Sequence, residues 1–276
     1  MAYKRILTVQ DISCLGQCST TVALPILSAC GQETCILPSA VLSTHTGGFS
    51  GMTFRDLAED LPPIAAHWKK ESISFDAIYT GYLGSTKQID YVEDIFRTLL
   101  APGGKIIVDP AMADHGKLYK GFDENYVAAM RRLCALADVI LPNLTEASLL
   151  LGMPYHESCT EAEARYYSER LCALGAKSVL LTGVGFQAGD TGVYLWEKGT
   201  AKHYPHKKIP KNYHGTGDIF ASAFTGAWVS GKEKFRAAQI AADFVLDCIE
   251  KTAEDPAHWY GVKFEAALPD LIKQLQ

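Results

Sequence analysis

Short apolar runs recur along the chain and alternate with longer stretches in which apolar residues return every three or four positions. The short runs at 5–9, 34–37, 77–80, 105–108, 138–141 and 178–182 predict strands. Helical spacing is predicted near 19–30, 54–69, 89–100, 125–135 and 161–174. After the last of these strands, 192–197 and 201–204 read as a hairpin around Lys198-Gly199. The final third is helical, at 217–230, 234–251 and 264–275, with Pro269 expected to split the last piece. Gly31, Gly175 and Gly231 stand where helix ends need them, and Pro25 should kink the first helix or mark its true start. Runs such as Ile106-Ile107-Val108 and Val139-Ile140-Leu141 are apolar at every position, as strands buried on both faces require. Alternation of this kind predicts an α/β fold with a mostly parallel sheet and helices on both faces.

Parallel α/β sheets bind ligands beyond the carboxyl ends of their strands. That rule selects Gln10-Asp11-Ile12-Ser13-Cys14, Gly81-Tyr82, Asp109-Pro110 with Asp114, Pro142-Asn143 with Glu146, and Gly183 after Thr182. One further loop contains Gly215-Thr216-Gly217-Asp218 and leads into an apolar helix. Its two glycines let backbone amides approach a ligand, and a helix N-terminus adds about half a positive charge. An anion such as a phosphate fits there, and Asp218 beside it could take a proton from an attacking hydroxyl. A plain capped turn explains the same four residues. No G-K-[ST] follows, so this is not a Walker A loop.

Composition narrows the partners. The chain has 276 residues, 48% apolar and 21% charged, enough for a sizeable core in one domain spanning 1–276. A net charge of −5 without a basic run gives no electrostatic reason to expect nucleic acid or a membrane surface. The N-terminus is too polar for a signal peptide, and no stretch has the length of a membrane helix, so a cytoplasmic location is expected. The eight cysteines show no CxxC pair or zinc spacing and are expected to be free thiols.

Five segments together resemble the ribokinase-like kinases, in particular the pyridoxal (vitamin B6) kinase family. They are LSTHTGGFSG (42–51), TGYLGS (80–85), VDPAMADHGKLY (108–119), LPNLTEASLLLG (141–152) and HGTGDIFASAF (214–224). The resemblance implies a three-layer fold and ATP-dependent transfer of a phosphoryl group to the 5′-hydroxymethyl group of a B6 vitamer. It implies Asp218 as base, with Gly215, Thr216 and Gly217 stabilising the transferring group. Asp109, Asp114, Tyr119, Asn143, Glu146 and Thr182 would serve ATP, with Asp109 and Glu146 holding Mg²⁺. A need for a monovalent cation is left open. Thr46, Tyr82, Cys18 and Asp11 would surround the substrate ring, with His45 in the loop that approaches it. Residues 44–51 would form a mobile flap, and the molecule would be a homodimer.

Simpler readings stand beside these. Asp109 could form a turn before Pro110, Glu146 could complement a helix start, His45 could be a surface residue and Tyr82 a core aromatic. His214 has no implied role beyond solvent or flap contact. The first loop departs from the family pattern, with Asp11 replacing a serine and Ser19-Thr20 replacing Gly-Asn; elsewhere Ala113 replaces a glycine before Asp114 and Leu42 a phenylalanine. A buried carboxylate is costly unless it meets a cation or several donors. Asp11 is therefore expected to favour a protonated ring or an amine, as in pyridoxamine. Two alternatives remain: a hydroxymethylpyrimidine or other small-alcohol kinase of the same fold, and a non-kinase dehydratase or ligand sensor.

Overall fold

The computed structural model describes residues 3–211, 213–255 and 257–276. Its strands are β1 (Arg5–Ser13), β2 (Glu33–Leu42), β3 (Phe54–Asp56), β4 (Phe75–Thr80), β5 (Leu100–Val108), β6 (Ala113–Asp114), β7 (Lys117–Leu118), β8 (Val139–Ile140), β9 (Ser178–Thr182), β10 (Asp190–Glu197) and β11 (Thr200–Lys207). Its helices are α1 (Thr20–Ala29), α2 (Leu61–Lys70), α3 (Thr86–Leu99), α4 (Glu124–Ala135), α5 (Leu144–Leu151), α6 (Glu161–Ala173), α7 (Thr216–Val229), α8 (Lys234–Ala253) and α9 (Leu268–Leu275).

A nine-stranded sheet runs in the order β11-β10-β9-β8-β5-β4-β1-β2-β3. The strands from β2 to β9 in that order pair in parallel, while β3, β10 and β11 are antiparallel additions at the two edges. Alternate side chains feed two cores. Leu7, Val9 and Ile78 join Val92, Ile95, Met130, Leu133, Ala147 and Leu171 on one face. Ile6, Ala77 and Tyr79 join Val22, Ile26, Phe220, Phe224, Ile240 and Leu271 on the other. The result is the predicted three-layer α/β architecture.

The chain passes from β1 outward to β2, then returns to place β4 on the other side of β1. That reversal opens a crevice at the carboxyl ends of β1 and β4, where doubly wound sheets bind ligands.

Several expectations need correction. Residues 54–69 are not one helix: Phe54–Asp56 pairs antiparallel with β2, a 3₁₀ turn covers Ala58–Asp60, and α2 starts at Leu61. Pro62 and Pro63 fill the first positions of α2, where a missing N–H costs nothing and a longer N-terminal extension is blocked. Strand one continues to Ser13, so Asp11 lies on the strand rather than in the loop after it. α5 and the small β6–β7 hairpin were not predicted as elements. Pro25 lies inside an unbroken α1, and Pro269 sits in the first turn of α9, separated from the 3₁₀ turn Phe264–Ala266 as expected. All eight cysteines are free. Among the described residues no helix is long and apolar enough to cross a membrane.

Candidate active site

α7 begins at Gly215, whose φ of 77° is left-handed. A Cβ at Gly215 would overlap the carbonyl oxygen of Gln17 and lie 3.3 Å from Cys18 Sγ. The loop between β1 and α1 is thus pressed directly against the start of α7, and only glycine permits that approach. At Gly217 the situation is reversed: an added Cβ would meet nothing within 4 Å. The first turn of α7 is therefore unobstructed beside Gly217, as an anion at its amide end would require.

Asp218 sits in that first turn, half-buried. Burial raises its carboxyl to about 7, and the nearby charge of Asp11 pushes the same way; the backbone N–H of Ser19 pulls against both. Asp11 is 3% exposed and accepts a hydrogen bond from the Ser13 hydroxyl at 2.8 Å. Burial raises its pKa, while the Ser19 and Ser13 hydroxyls lower it. Burial, then Asp218 and Asp11, hold the Cys18 thiol well above its ordinary value. Tyr82 feels burial first and the charge of Asp11 next. Its ring stacks on Phe122 at 5.5 Å, and Phe122 stacks on Tyr126 at 3.7 Å, forming an aromatic wall beside the crevice. Asp11, Cys18, Tyr82 and Asp218 are therefore one group.

A second group lies beyond the end of β5. Asp109 is buried, and one of its oxygens accepts from Ala111 N–H at 3.1 Å. Burial, Glu146 and Asp218 drive its carboxyl well above the usual range. Glu146 is raised to about 7, chiefly by burial. Its two oxygens accept from the N–H groups of Met112 and Asn143, both at 3.0 Å. With Asn143 Oδ1 accepting from Glu146 N–H at 2.9 Å, they form a capping box on α5. Asn143 Nδ2 donates to Ala113 O at 2.9 Å, and Gly116 N–H donates to Thr145 Oγ1 at 3.0 Å. The start of α5 is thus laced to the 112–118 hairpin. The helix-start reading of Glu146 holds, and the residue also stands against Asp109. Tyr119, 40% exposed, has its hydroxyl pKa raised by burial and by Glu146, Asp114, Asp109 and Asp218. Asp114 is exposed beside His115. Thr182 ends β9, its hydroxyl 3.5 Å from Pro142 O, the outer limit of a hydrogen bond.

The flap lies against the loop after β1, where His45 N–H donates to Leu15 O at 3.2 Å. Thr46 is exposed. His45 is buried, with Nε2 2.7 Å from Tyr260 O and Nδ1 accepting from Gly47 N–H at 3.0 Å. His214 touches the flap, as expected: its ring lies 5.2 Å from that of His45.

Sequence reasoning missed Tyr79. Its hydroxyl is fully buried without a hydrogen-bond partner among the described residues, and its pKa is raised by burial, then by Asp109 and Asp218. On sequence it is one more apolar strand residue; only the register beside Thr8 and Ile107 carries it under the two carboxylates.

Among the described residues none of Asp11, Asp109, Glu146 and Asp218 makes an ion pair. Nor do three His, Cys, Asp or Glu side chains among them converge into a complete metal cage. Buried carboxylates without an ion pair either hold a proton or take a cation from outside. An all-oxygen set with few protein ligands suits Mg²⁺, which keeps waters and takes phosphate oxygens.

A doubly wound sheet with a glycine-flanked helix start and unpaired carboxylates gathered at the carboxyl ends of its strands is the arrangement of the ribokinase-like small-molecule kinases. Residues 64–261 match the phosphomethylpyrimidine kinase family, and the chain belongs to it, among kinases that phosphorylate an alcohol group. A hydroxymethylpyrimidine/phosphomethylpyrimidine kinase of Bacillus subtilis (strain 168) is 29% identical over 221 residues, covering 78% of this chain and 77% of that protein. A Bacteroides thetaiotaomicron protein described as a phosphomethylpyrimidine kinase and crystallised with pyridoxal superposes with a TM-score of 0.92 at 39% identity, covering 98% of this chain and 96% of that one. The pyridoxal kinase of Lactobacillus plantarum gives 0.90 at 31% identity, covering 99% and 98%.

Proposed function

We propose that this protein transfers the γ-phosphoryl group of ATP to the 5′-hydroxymethyl group of a B6 vitamer. The observation that carries the reading is Asp218, set in the first turn of α7 with open space before the helix amides and Asp11 beside it. Asp218 takes the hydroxyl proton as the alcohol oxygen bonds to γ-phosphorus and the bond to the β-phosphate oxygen breaks, leaving ADP. The amides of Gly215, Thr216 and Gly217 receive the charge on the transferring group. Asp109 and Glu146 would hold Mg²⁺, which supplies charge neutralisation on the phosphates. Asp114, Tyr119, Asn143 and Thr182 line the nucleotide side. Tyr82, Thr46 and Cys18 line the ring side, and Asp11 meets its cationic nitrogen or amine. By the same likeness the protein is a homodimer, which light scattering checks as a mass of two chains.

A second reading, a hydroxymethylpyrimidine kinase, is favoured by the matched family and the Bacillus subtilis relative. ADP release and product mass with Mg-ATP and pyridoxamine, pyridoxal, pyridoxine, hydroxymethylpyrimidine and a simple sugar separate the two. Turnover of the pyrimidine alone overturns the first reading, and turnover of none overturns both. Asp218→Asn is expected to lower kcat on the order of 10²-fold while ATP affinity stays nearly intact. Asp11→Ser should reduce the preference for pyridoxamine; unchanged substrate ratios would remove Asp11 from recognition.

A further inference from the structure

Three segments far apart in sequence meet over the crevice: the loop after β1 (14–19), the flap (44–51) and a strap before α9 (257–263). His45 is where they join. Its Nδ1 accepts from Gly47 N–H at 3.0 Å, so Nδ1 carries no proton. Its Nε2, 2.7 Å from the carbonyl oxygen of Tyr260, must then be the protonated nitrogen and donate to it. The ring is thereby fixed as the neutral Nε2–H tautomer, with both nitrogens committed to backbone groups. Its face fills the space beside Gly16, where a Cβ would overlap ring carbon Cδ2.

The surrounding contacts tie the same three segments together. Phe49 of the flap meets the edge of His45 at 5.1 Å and packs on Trp259 of the strap at 4.8 Å. His258 Nε2 lies 2.6 Å from Gln17 Oε1, and Gln17 Nε2 donates to both Glu265 oxygens at 3.0 and 3.1 Å. Gly47 has no room for a Cβ because the His214 ring lies behind it. His214 directly precedes Gly215, so the flap leans on the residue that leads into the start of α7.

We propose that His45 is a positioning residue, a latch that holds the flap to the strap at Tyr260 and to His214, and not a ligand of the substrate. A ring with both nitrogens bonded within the protein has no donor or acceptor left for the alcohol substrate. Substrate enters when this latch opens and is enclosed when it closes. The inference rests on the kinase reading only for its kinetic arm.

Ring ¹⁵N chemical shifts of the wild-type protein at neutral pH should report an Nε2–H tautomer for His45; an Nδ1–H or doubly protonated ring overturns the latch. Chymotrypsin should cut after Phe49 faster in His45→Ala than in wild type, with Tm little changed and cleavage elsewhere unaltered. Equal cleavage overturns the proposal. Losing the flap-to-strap hydrogen bond to Tyr260 O should raise KM for the alcohol about tenfold, with kcat and KM for ATP within about twofold. His45→Gln, whose amide can still reach Tyr260 O, should recover part of that loss. A kcat collapse with an undisturbed flap would make His45 part of the chemistry and sink the latch. If the wild type phosphorylates no alcohol at all, the functional reading fails, while tautomer and proteolysis still decide the role of His45.

Discussion

Ser19 precedes α1 with φ 56° and ψ −132°, a backbone conformation that residues with a Cβ rarely hold. The site gains from it directly. The Ser19 N–H lowers the pKa of Asp218, and the Ser19 hydroxyl lowers that of Asp11. One strained residue thus lowers the pKa of two crevice acids, the situation in which strain persists because its surroundings over-determine it. Glycine stands here in the family pattern the chain resembles, so serine has added a hydroxyl donor at the cost of strain. Two substitutions separate these contributions. Ser19→Ala keeps the strain and loses the hydroxyl, whereas Ser19→Gly loses both. Ser19→Gly should be the more stable of the two by about 1 kcal/mol in urea unfolding, even after glycine's larger entropy loss on folding. The opposite order would mean that the backbone at this position carries no strain.

The first turn of α7 has two glycines with different duties. Gly215→Ala places a Cβ against the backbone carbonyl of Gln17 in a left-handed conformation, so α7 and the loop after β1 must separate. Both stability and kcat should fall, the latter on the order of 10²-fold as Asp218 loses its alignment. Gly217→Ala places its Cβ in open space. There alanine is the better helix former, so Tm should hold or rise. Yet kcat should drop about tenfold or more, because the methyl occupies the approach to the amides. A Gly217→Ala enzyme with full activity would mean that no anion sits before this helix. Elements whose signals are local were legible in the sequence: the parallel strands, the hairpin at Lys198-Gly199 and the glycine helix stops. The start of α2 was written in Pro62-Pro63 but overridden by helical spacing upstream, and Phe54–Asp56 is a strand only because the edge of β2 is there to pair with it. α5 is short, and its box of Asn143 and Glu146 was read as chemistry before it was read as a cap. The strap at Trp259 and Tyr260 had no local signal, since its partners lie some 200 residues away in the flap.

Across the whole molecule, the acids divide into two populations with opposite pH behaviour. Surface groups such as Asp76 and Asp270 have lowered folded-state pKa values; Lys4 hydrogen-bonds the first, against a burial that pulls the other way, and Lys273 and Lys251 bond the second. They contribute stability above their unfolded pKa, and it is lost as pH falls. The crevice acids do the reverse. Asp218, ordinarily 3.8, is raised to about 7, and Glu146, ordinarily 4.5, also to about 7. Between about pH 4 and 7 the folded protein keeps protons that the unfolded chain has released, so the stability these groups contribute declines as pH rises through that window and levels off above it. The total curve mixes both populations, but a difference curve isolates one group. Asn at 218 cannot ionise, so it escapes the cost of a buried charge. Tm of Asp218→Asn minus Tm of wild type should therefore be small near pH 4.5 and grow toward pH 8, reaching about 5 °C. A difference that stays flat from pH 4.5 to 8 would mean that the Asp218 carboxylate is solvated like an ordinary surface acid, and it would then be too weak a base for the role assigned to it.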